Sequence, residues 1–466
     1  MSIDVDYLVV GGGATAMAFV DVLFHETDAT MAIVDHRHVP GGHWNDAYPF
    51  VRLHQPSRFY GVPSKTLGNM RKETSGLNAG LYHLASGVEI ASYYHELMEE
   101  VFIPFGRVHF YPLSTYSEDG KVVESLSERR HDINIRERLV DATYLTTNIP
   151  LTHQRNFDVA DGIVCVPPNE LPRRAGMHKH IQIIGGGKTA IDSITWLITQ
   201  GATEDRLSWV MPRDSWFLNR ATLQPGYENF DNVFGRMAVQ HEICATAQSV
   251  EELCRRMEQH NIWLRIDPDI WPTMFHAATI SEVELQTIRE VADLVRLGHV
   301  KRINHDVVSY TEGEVKARPD TLYIDCTASA VDQNVNYREP VFGAEKIALQ
   351  MIRPFQPCFS AALIAHLEVA MDNDEQRADL TRPTPMTDTV ADWLDIYADG
   401  LMNSGEWARN EEVFKWMRGC RLNAFNDIVA GVSSDDTEKH AVFKKLGELG
   451  PPAVKNLKRL AATARG

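Results

Sequence analysis

At 466 residues the chain exceeds one ordinary core and points to two or three domains. Its 63 acidic residues against 46 basic ones give a net charge of −17, which argues against a general role on nucleic acid or on an anionic membrane. A hydrophobic fraction of 44% with 23% charged residues is that of a soluble globular protein. No apolar run is long enough to span a bilayer, and Asp4 and Asp6 stand where a signal peptide would be basic, so a cytoplasmic location is expected. Cys165, Cys244, Cys254, Cys326, Cys358 and Cys420 are scattered without a C-x-x-C pair, which speaks against a disulfide framework, a zinc site or a redox-active dithiol. Redox chemistry would have to come from a bound cofactor.

The chain begins with an apolar strand, Tyr7–Val10, that runs into Gly11-Gly12-Gly13 and then a helix from Ala14 to about Phe24. Gly11 permits the sharp turn, Gly13 lets the backbone approach a pyrophosphate, and Ala16 is the third small residue that lets helix and strand pack. The phosphates would sit on the free N–H groups of the helix start, at Ala14 and Thr15. The next strand, Met31–Val34, ends in Asp35, the acid expected on the ribose hydroxyls of an adenosine half, with His36 beside it. The pattern repeats at Ile181–Ile184 and Gly185-Gly186-Gly187-Lys188-Thr189-Ala190, where Gly185 stands 174 residues after Gly11 and Thr189, Ala190 and Leu197 repeat Thr15, Ala16 and Leu23. A P-loop is excluded because the glycine it needs five positions before Gly187 is Gln182. Two dinucleotides are implied.

Between the copies, a long non-periodic segment from His36 to Ser64 carries Gly41-Gly42-His43-Trp44, Tyr48-Pro49 and Arg52-Leu53-His54-Gln55. A loop of that length inside a compact domain is usually functional. It resembles the segment of flavin-containing (class B) monooxygenases in which Gly-Gly-x-Trp follows the acidic end of the second strand and wraps the flavin. The resemblance implies a two-dinucleotide flavoprotein with FAD in the first fold, on Gly42, His43 and Trp44 as well as the glycine turn, and NADPH in the second, on Gly185, Gly187, Lys188 and Thr189. His43, Arg52, His54 and Gln55 either point at the flavin ring or hydrogen-bond within their own loop, and Arg52, His54 and Gln55 are the candidate catalytic residues; the resemblance puts a backbone contact to the FAD adenine at Val108.

Further along, Ser92–Val101 reads as a helix, and Arg107–Tyr111, Lys121–Glu124, His131–Arg136 and Ala142–Thr146 as strands, the later ones forming a small antiparallel layer. Pro167–Arg174 reads as an extended connector. After the strand Leu207–Met211 the acid is missing and Arg213 stands instead, with Arg220 beyond; an arginine there suits the extra phosphate of NADPH. Val250–Gln259 and Ser281–Leu297 have helical periodicity, and Val300–Ile303 and Leu322–Asp325 read as later strands of the second fold. Asp325-Cys326-Thr327-Ala328 resembles, imperfectly, the segment where such flavoproteins cross back to FAD, and Ser360 falls in a helix start beside the flavin. The expected fold class is α/β: two Rossmann-like dinucleotide-binding domains with a small antiparallel layer, a helical insertion and a helical C-terminal tail. The expected domains are 1–150 with 325–385 for FAD, 175–220 with 299–324 for NADPH, an insertion over 221–298 and a tail over 386–466.

His36 with His38, and His178 with His180, lack cysteine or carboxylate ligands in a recognised spacing, so no metal is expected. Trp263, Trp271 and Phe275 read as core. The Phe-x-Gly-x-x-x-His signature usual in these monooxygenases is absent between Phe157 and His180. The resemblance therefore implies an FAD-containing, NADPH-dependent oxidoreductase, foremost a monooxygenase that oxidises a small organic substrate with molecular oxygen through a C4a-peroxyflavin. A flavin dehydrogenase or reductase without oxygen insertion, and a non-catalytic nucleotide-binding protein, are the alternatives; a homo-oligomer is left open.

Overall fold

The computed structural model describes residues 2–117, 119–145, 148–329 and 338–465. Its first half is built on β1 (Ser2–Val10), α1 (Ala14–Glu26), β2 (Met31–Val34), α2 (Gly87–Glu96), β3 (Val108–Tyr111), β4 (Ser114–Tyr116), β5 (Lys121–Glu124) and β6 (Arg130–Asp141). The sheet order is β3-β2-β1-β6-β5-β4, parallel as far as β6 and antiparallel beyond it. β6 is long enough to serve two partners on one edge: residues near Asp132 pair with β5, and Leu139–Asp141 pair with a strand from much later in the chain.

The second half is a five-stranded parallel sheet. It contains β7 (Cys165–Val166), β8 (His180–Ile184), α3 (Lys188–Thr199), β9 (Leu207–Val210), α4 (Arg236–Thr246), α5 (Val250–Gln259), β10 (Leu294–Val295) and β11 (Thr321–Asp325), with the strands ordered β10-β9-β8-β11-β7. Every residue of β8 and β9 is buried, as expected of parallel strands covered on both faces. The chain then returns to the first sheet through β12 (Lys346–Ala348), the late partner of β6, and α6 (Pro357–Ala370), whose Phe359–Leu367 stretch packs with α1 in one core. Finally α7 (Val390–Arg409) and α8 (Thr437–Arg465) pack with α4 and α5 around Trp216, Trp263, Phe275 and Trp393.

Several local expectations change. The antiparallel strands 121–124 and 131–136 continue the first sheet rather than forming a separate layer, because β6 lies beside β1. Residues 142–145 are not a strand, and Thr146 lies outside the described residues. Pro168 and Pro172 start helical turns, Pro168–Glu170 and Leu171–Arg174, because proline's fixed φ suits a helix's first residues; the connector is not extended. The helix read over 281–297 ends at Arg289, and Leu294–Val295 forms the edge of the second sheet. Val300–Ile303 lies in a separate, mainly antiparallel sheet with Val307–Tyr310, Glu314–Lys316 and Asp158–Val159. Trp263 and Phe275 are core, whereas Trp271 is 37% exposed and lies against the guanidinium groups of Arg255 and Arg265. No helix among the described residues is long and apolar enough to cross a membrane.

Candidate functional site

The first glycine turn is shaped by contacts its sequence anticipates. Gly11 takes φ of +100°, a region that favours glycine, and donates its N–H to Val34 O at 2.7 Å, tying the turn to β2. Gly12 N–H donates to Asp35 Oδ2 at 2.5 Å, while Asp35 Oδ1 accepts from Arg37 N–H at 2.7 Å. The acid is therefore held at the end of β2 beside the turn. Gly42 presses onto Gly13: a Cβ added to Gly42 would stand 2.9 Å from Gly13 Cα. A Cβ on Gly13 itself would meet only Gly42 Cα, at 3.7 Å, and otherwise project into open space. The first turn of α1 closes from Met17 N–H to Gly13 O, so the N–H groups of Ala14, Thr15 and Ala16 precede it and face outward from the helix start.

That open space is a cavity of about 450 Å³, inside the range of small-molecule sites. It runs from Gly11, Gly13, Ala14, Thr15, Asp35 and His36 along Gly42, His43 and Trp44 to His54 and Gln55. Phe355, Gln356 and Pro357, at the start of α6, close one side, and His276, Ala277 and Met386 close another. Trp44 Nε1 donates to Tyr60 Oη at 2.7 Å, which fixes the indole as a wall, and Gln55 Nε2 donates to Phe355 O at 3.2 Å across the cavity's edge. Glycine floor, helix-start N–H groups and buried carboxylate together fit an adenine dinucleotide of the FAD type. A more open cavity of about 490 Å³, between α1 and residues 412–420, contains none of the residues expected from the sequence.

Burial sets the charge state of the cavity's histidines. It pushes His43 down to about 4 and His54 down to about 3, the latter helped by the nearby cations Lys188 and Arg220, so both imidazoles are neutral at pH 7. His54 Nδ1 accepts the Thr279 N–H at 3.3 Å and its carbonyl accepts from Arg220 Nε at 2.9 Å. The imidazole is thereby fixed with Nδ1 unprotonated.

The second turn has the same shape. Gly185, at φ of +131°, donates to Val210 O at 3.0 Å, and its carbonyl accepts from Trp209 Nε1 at 2.6 Å. A Cβ on Gly185 or Gly186 would stand 2.6 Å from the Cys326 or Arg213 carbonyl oxygen, but one on Gly187 would meet nothing within 4 Å. Lys188, next in line, reaches inward to Asp192 and, at 3.2 Å, to Glu284. Although burial disfavours its charge, those two carboxylates outweigh the penalty and raise its pKa. Glu284 also takes Arg220 at 2.5 Å. Arg220 is thus a buried structural cation, not a ligand at the rim. Arg213 already holds Asp388, through Nη1 at 3.0 Å and Nη2 at 3.1 Å.

Other expected site residues lie away from the cavity. Arg52 points to Leu84 O and Glu73 and is a clamp for residues 73–84 rather than a flavin neighbour. Val108, expected at the adenine, pairs with Met31 at the start of its strand and does not line the cavity; Tyr111, paired with Val34, is the β3 residue beside Asp35. Ser360 is fully buried and spends its hydroxyl on Gln356 O and on the N–H groups of Ile352 and Arg353, shaping the loop before α6 from behind. Ala16 is buried packing, as its role at the helix–strand contact requires. Asp325 Oδ1 accepts from Thr327 N–H at 3.0 Å and from Thr327 Oγ1 at 2.6 Å, and it does not line the cavity. Thr189 stands at the start of α3. Among the described residues no group of His, Cys, Asp or Glu is arranged to hold a metal. His276 and Met386 were not singled out by the sequence because they reach the cavity from the far half of the chain, with no motif to mark them.

The chain is similar to several solved structures. Cyclohexanone monooxygenase from Rhodococcus sp. Phi1, bound to NADP+, is 13% identical, with 100% of this chain and 99% of that chain covered and a TM-score of 0.48. OTEMO in complex with FAD and NADP is 14% identical, covering 90% and 92% with a TM-score of 0.48, and a Stenotrophomonas maltophilia flavin monooxygenase is 14% identical, covering 78% and 97% with a TM-score of 0.47. No protein-family model matches the chain. Uncharacterized protein Mb2023 of Mycobacterium bovis and uncharacterized protein Rv2000 of Mycobacterium tuberculosis are each 39% identical over 469 residues, covering 99% of this chain and 86% of theirs. The chain belongs to the family of these mycobacterial proteins.

Proposed function

We propose that the protein is an FAD-containing, NADPH-dependent oxidoreductase and that it acts as a monooxygenase on a small organic substrate. The observation that carries the reading is the cavity, which begins at one glycine turn and ends among His54, Gln55 and the start of α6, while a second turn of the same shape lies in the adjacent sheet. Ala14 and Thr15 N–H groups would hold the FAD pyrophosphate and Asp35 its ribose. Gly187, with Thr189 behind it, leaves the approach for NADPH, and Lys188 secures the helix start from inside through Asp192 and Glu284. Flavin, once bound, supplies the hydride-accepting and oxygen-reacting chemistry. The chain's own contribution is to orient the ring with Trp44 and Tyr60, to hold a neutral imidazole at His54, and to shield the reacting end with Met351, Phe355 and Met386.

The test is to load the protein with FAD, mix it with NADPH without air, then admit oxygen, following flavin absorbance. Bleaching by NADPH supports the cofactor assignment, and incorporation of labelled oxygen into a screened substrate supports oxygenation. Bleaching and reoxidation without incorporation would make the protein a reductase, and failure to bind FAD would overturn the assignment.

A further inference from the structure

Four histidines line the cavity, and they differ in what their nitrogens can do. His43 and His54 are held neutral by burial, and His36, largely exposed, sits at the Asp35 end. His276 is at the other end, with its side chain 23% exposed. Its Nε2 lies 2.8 Å from Asp388 Oδ1. Since an ionised carboxylate only accepts, Nε2 carries the hydrogen, and in the neutral ring Nδ1 is the basic nitrogen.

Asp388 is itself fixed. Burial pushes its carboxyl up, but hydrogen bonds from Arg213 and then His276 outweigh that and hold it below the ordinary carboxylate range. The surrounding backbone is laced in the same place: Phe275 N–H donates to Asp388 O at 2.8 Å, Thr387 Oγ1 donates to Phe275 O at 2.5 Å, and Arg213 Nη2 donates to Thr273 O at 3.1 Å. Besides Asp388 and Arg213, the charged or titratable groups nearest in the connected network are Asp392, which accepts the Asp388 N–H at 3.2 Å, and His54 across the cavity. A carboxylate that fixes an imidazole's tautomer and balances its charge is a recurrent device for moving protons.

We propose that His276, positioned by Asp388 and through it by Arg213, supplies the cavity with the proton that each turnover consumes. The inference rests on the redox reading above. Oxygenation balances as NADPH + H+ + O2 + substrate giving NADP+ + oxygenated substrate + water, and uncoupled oxidation as NADPH + H+ + O2 giving NADP+ + H2O2. Either way one proton must reach the cavity. The imidazolium gives up the Nδ1 proton to the cavity, remains hydrogen-bonded to Asp388 through Nε2, and takes a new proton from solvent at its exposed edge. Asp388 is a positioning residue, and it is not the proton donor.

The experiment compares FAD-loaded wild type, His276→Gln and Asp388→Asn with NADPH as the only reductant. Reduction without air reads hydride transfer, which takes no proton from the cavity; NADPH consumption in air reads the whole cycle. The expected result is that both variants still reduce, that consumption in air falls about a hundredfold in His276→Gln and less in Asp388→Asn, and that added imidazole restores part of the loss. Independently of cofactor, 15N NMR of histidine-labelled protein should find His276 protonated on Nε2 in the wild type and a mixture of tautomers in Asp388→Asn. Wild-type consumption in His276→Gln, equal loss of reduction and consumption in both variants, or an Nδ1-protonated His276 would overturn the proposal. A wild type whose flavin NADPH cannot reduce would overturn the parent reading, and with it this one.

Discussion

Gly13→Ala separates folding from cofactor binding. Gly13 has φ of −80° and extended ψ, a conformation alanine adopts freely, and its added Cβ would find the nearest protein atom at 3.7 Å, an ordinary contact. Lower chain entropy in the unfolded state offsets the poorer helix cap, so the net change in stability is within about 1 kcal/mol. The methyl, however, would stand in the cavity where a pyrophosphate must touch the backbone, and overpacking of this kind costs about 1–3 kcal/mol, or a roughly 5- to 150-fold loss of FAD affinity. Gly42→Ala is the contrast: with φ of +58° and its Cβ 2.9 Å from Gly13 Cα, it must disturb the fold itself. Flavin fluorescence titration of cofactor-stripped protein, alongside thermal melts, reads both quantities. A Gly13→Ala protein that melts normally and binds FAD as tightly as wild type would refute the placement of the pyrophosphate.

The remaining predictions concern what holds the site together. Glu284→Gln leaves Lys188 and Arg220 short of a buried counter-charge and should cost about 3–5 kcal/mol in urea unfolding. Coulombic and hydrogen-bond contacts with those cations outweigh burial and bring Glu284 from 4.5 to about 2, so its stabilisation is whole above pH 4.5 and lost as pH falls toward 2; acid melts of wild type and Glu284→Gln should converge there. His43 and His54 work in the opposite sense, since the unfolded chain takes up protons below about 6.5 that the folded chain refuses until about 4 and about 3. Each should cost about 2 kcal/mol between pH 7.5 and 5, and His54→Asn should flatten that part of the melting profile. Trp209→Phe strips the Gly185 carbonyl of its 2.6 Å donor and should lower stability by about 1–3 kcal/mol by denaturant titration, with no change at the first turn.

The parts of the architecture readable in the sequence are those set by local rules. Strand, glycine turn and helix sit in consecutive residues, so both turns, α1, α3 and α5 were legible within a residue or two. The partnership of β6 with β12 was not, because register between strands some 200 residues apart leaves no local trace. The same limit governed the site. Gly42, His43 and Trp44 announce themselves in one loop, whereas His276 and Asp388 meet only after the insertion and the segment before α7 fold against each other. Arg52 misled because an arginine in a functional loop gives no sign of which way it turns, and here Glu73 and Leu84 O turn it outward.

One feature of the loop from His36 to Ser64 reaches further. Tyr48 Oη donates to Asp192 Oδ2 at 2.7 Å and Phe50 stacks on Trp196, both on α3 of the second fold. In return Arg220 and Thr279, from beyond the second turn, hold the carbonyl and ring of His54. Each half thus lends the other a limb. Dividing the chain at its connector would not yield two self-sufficient binding modules, since each piece would keep its glycine turn yet surrender the contacts that brace it. The duplication visible in the sequence is tied together by contacts that run in both directions between the two halves.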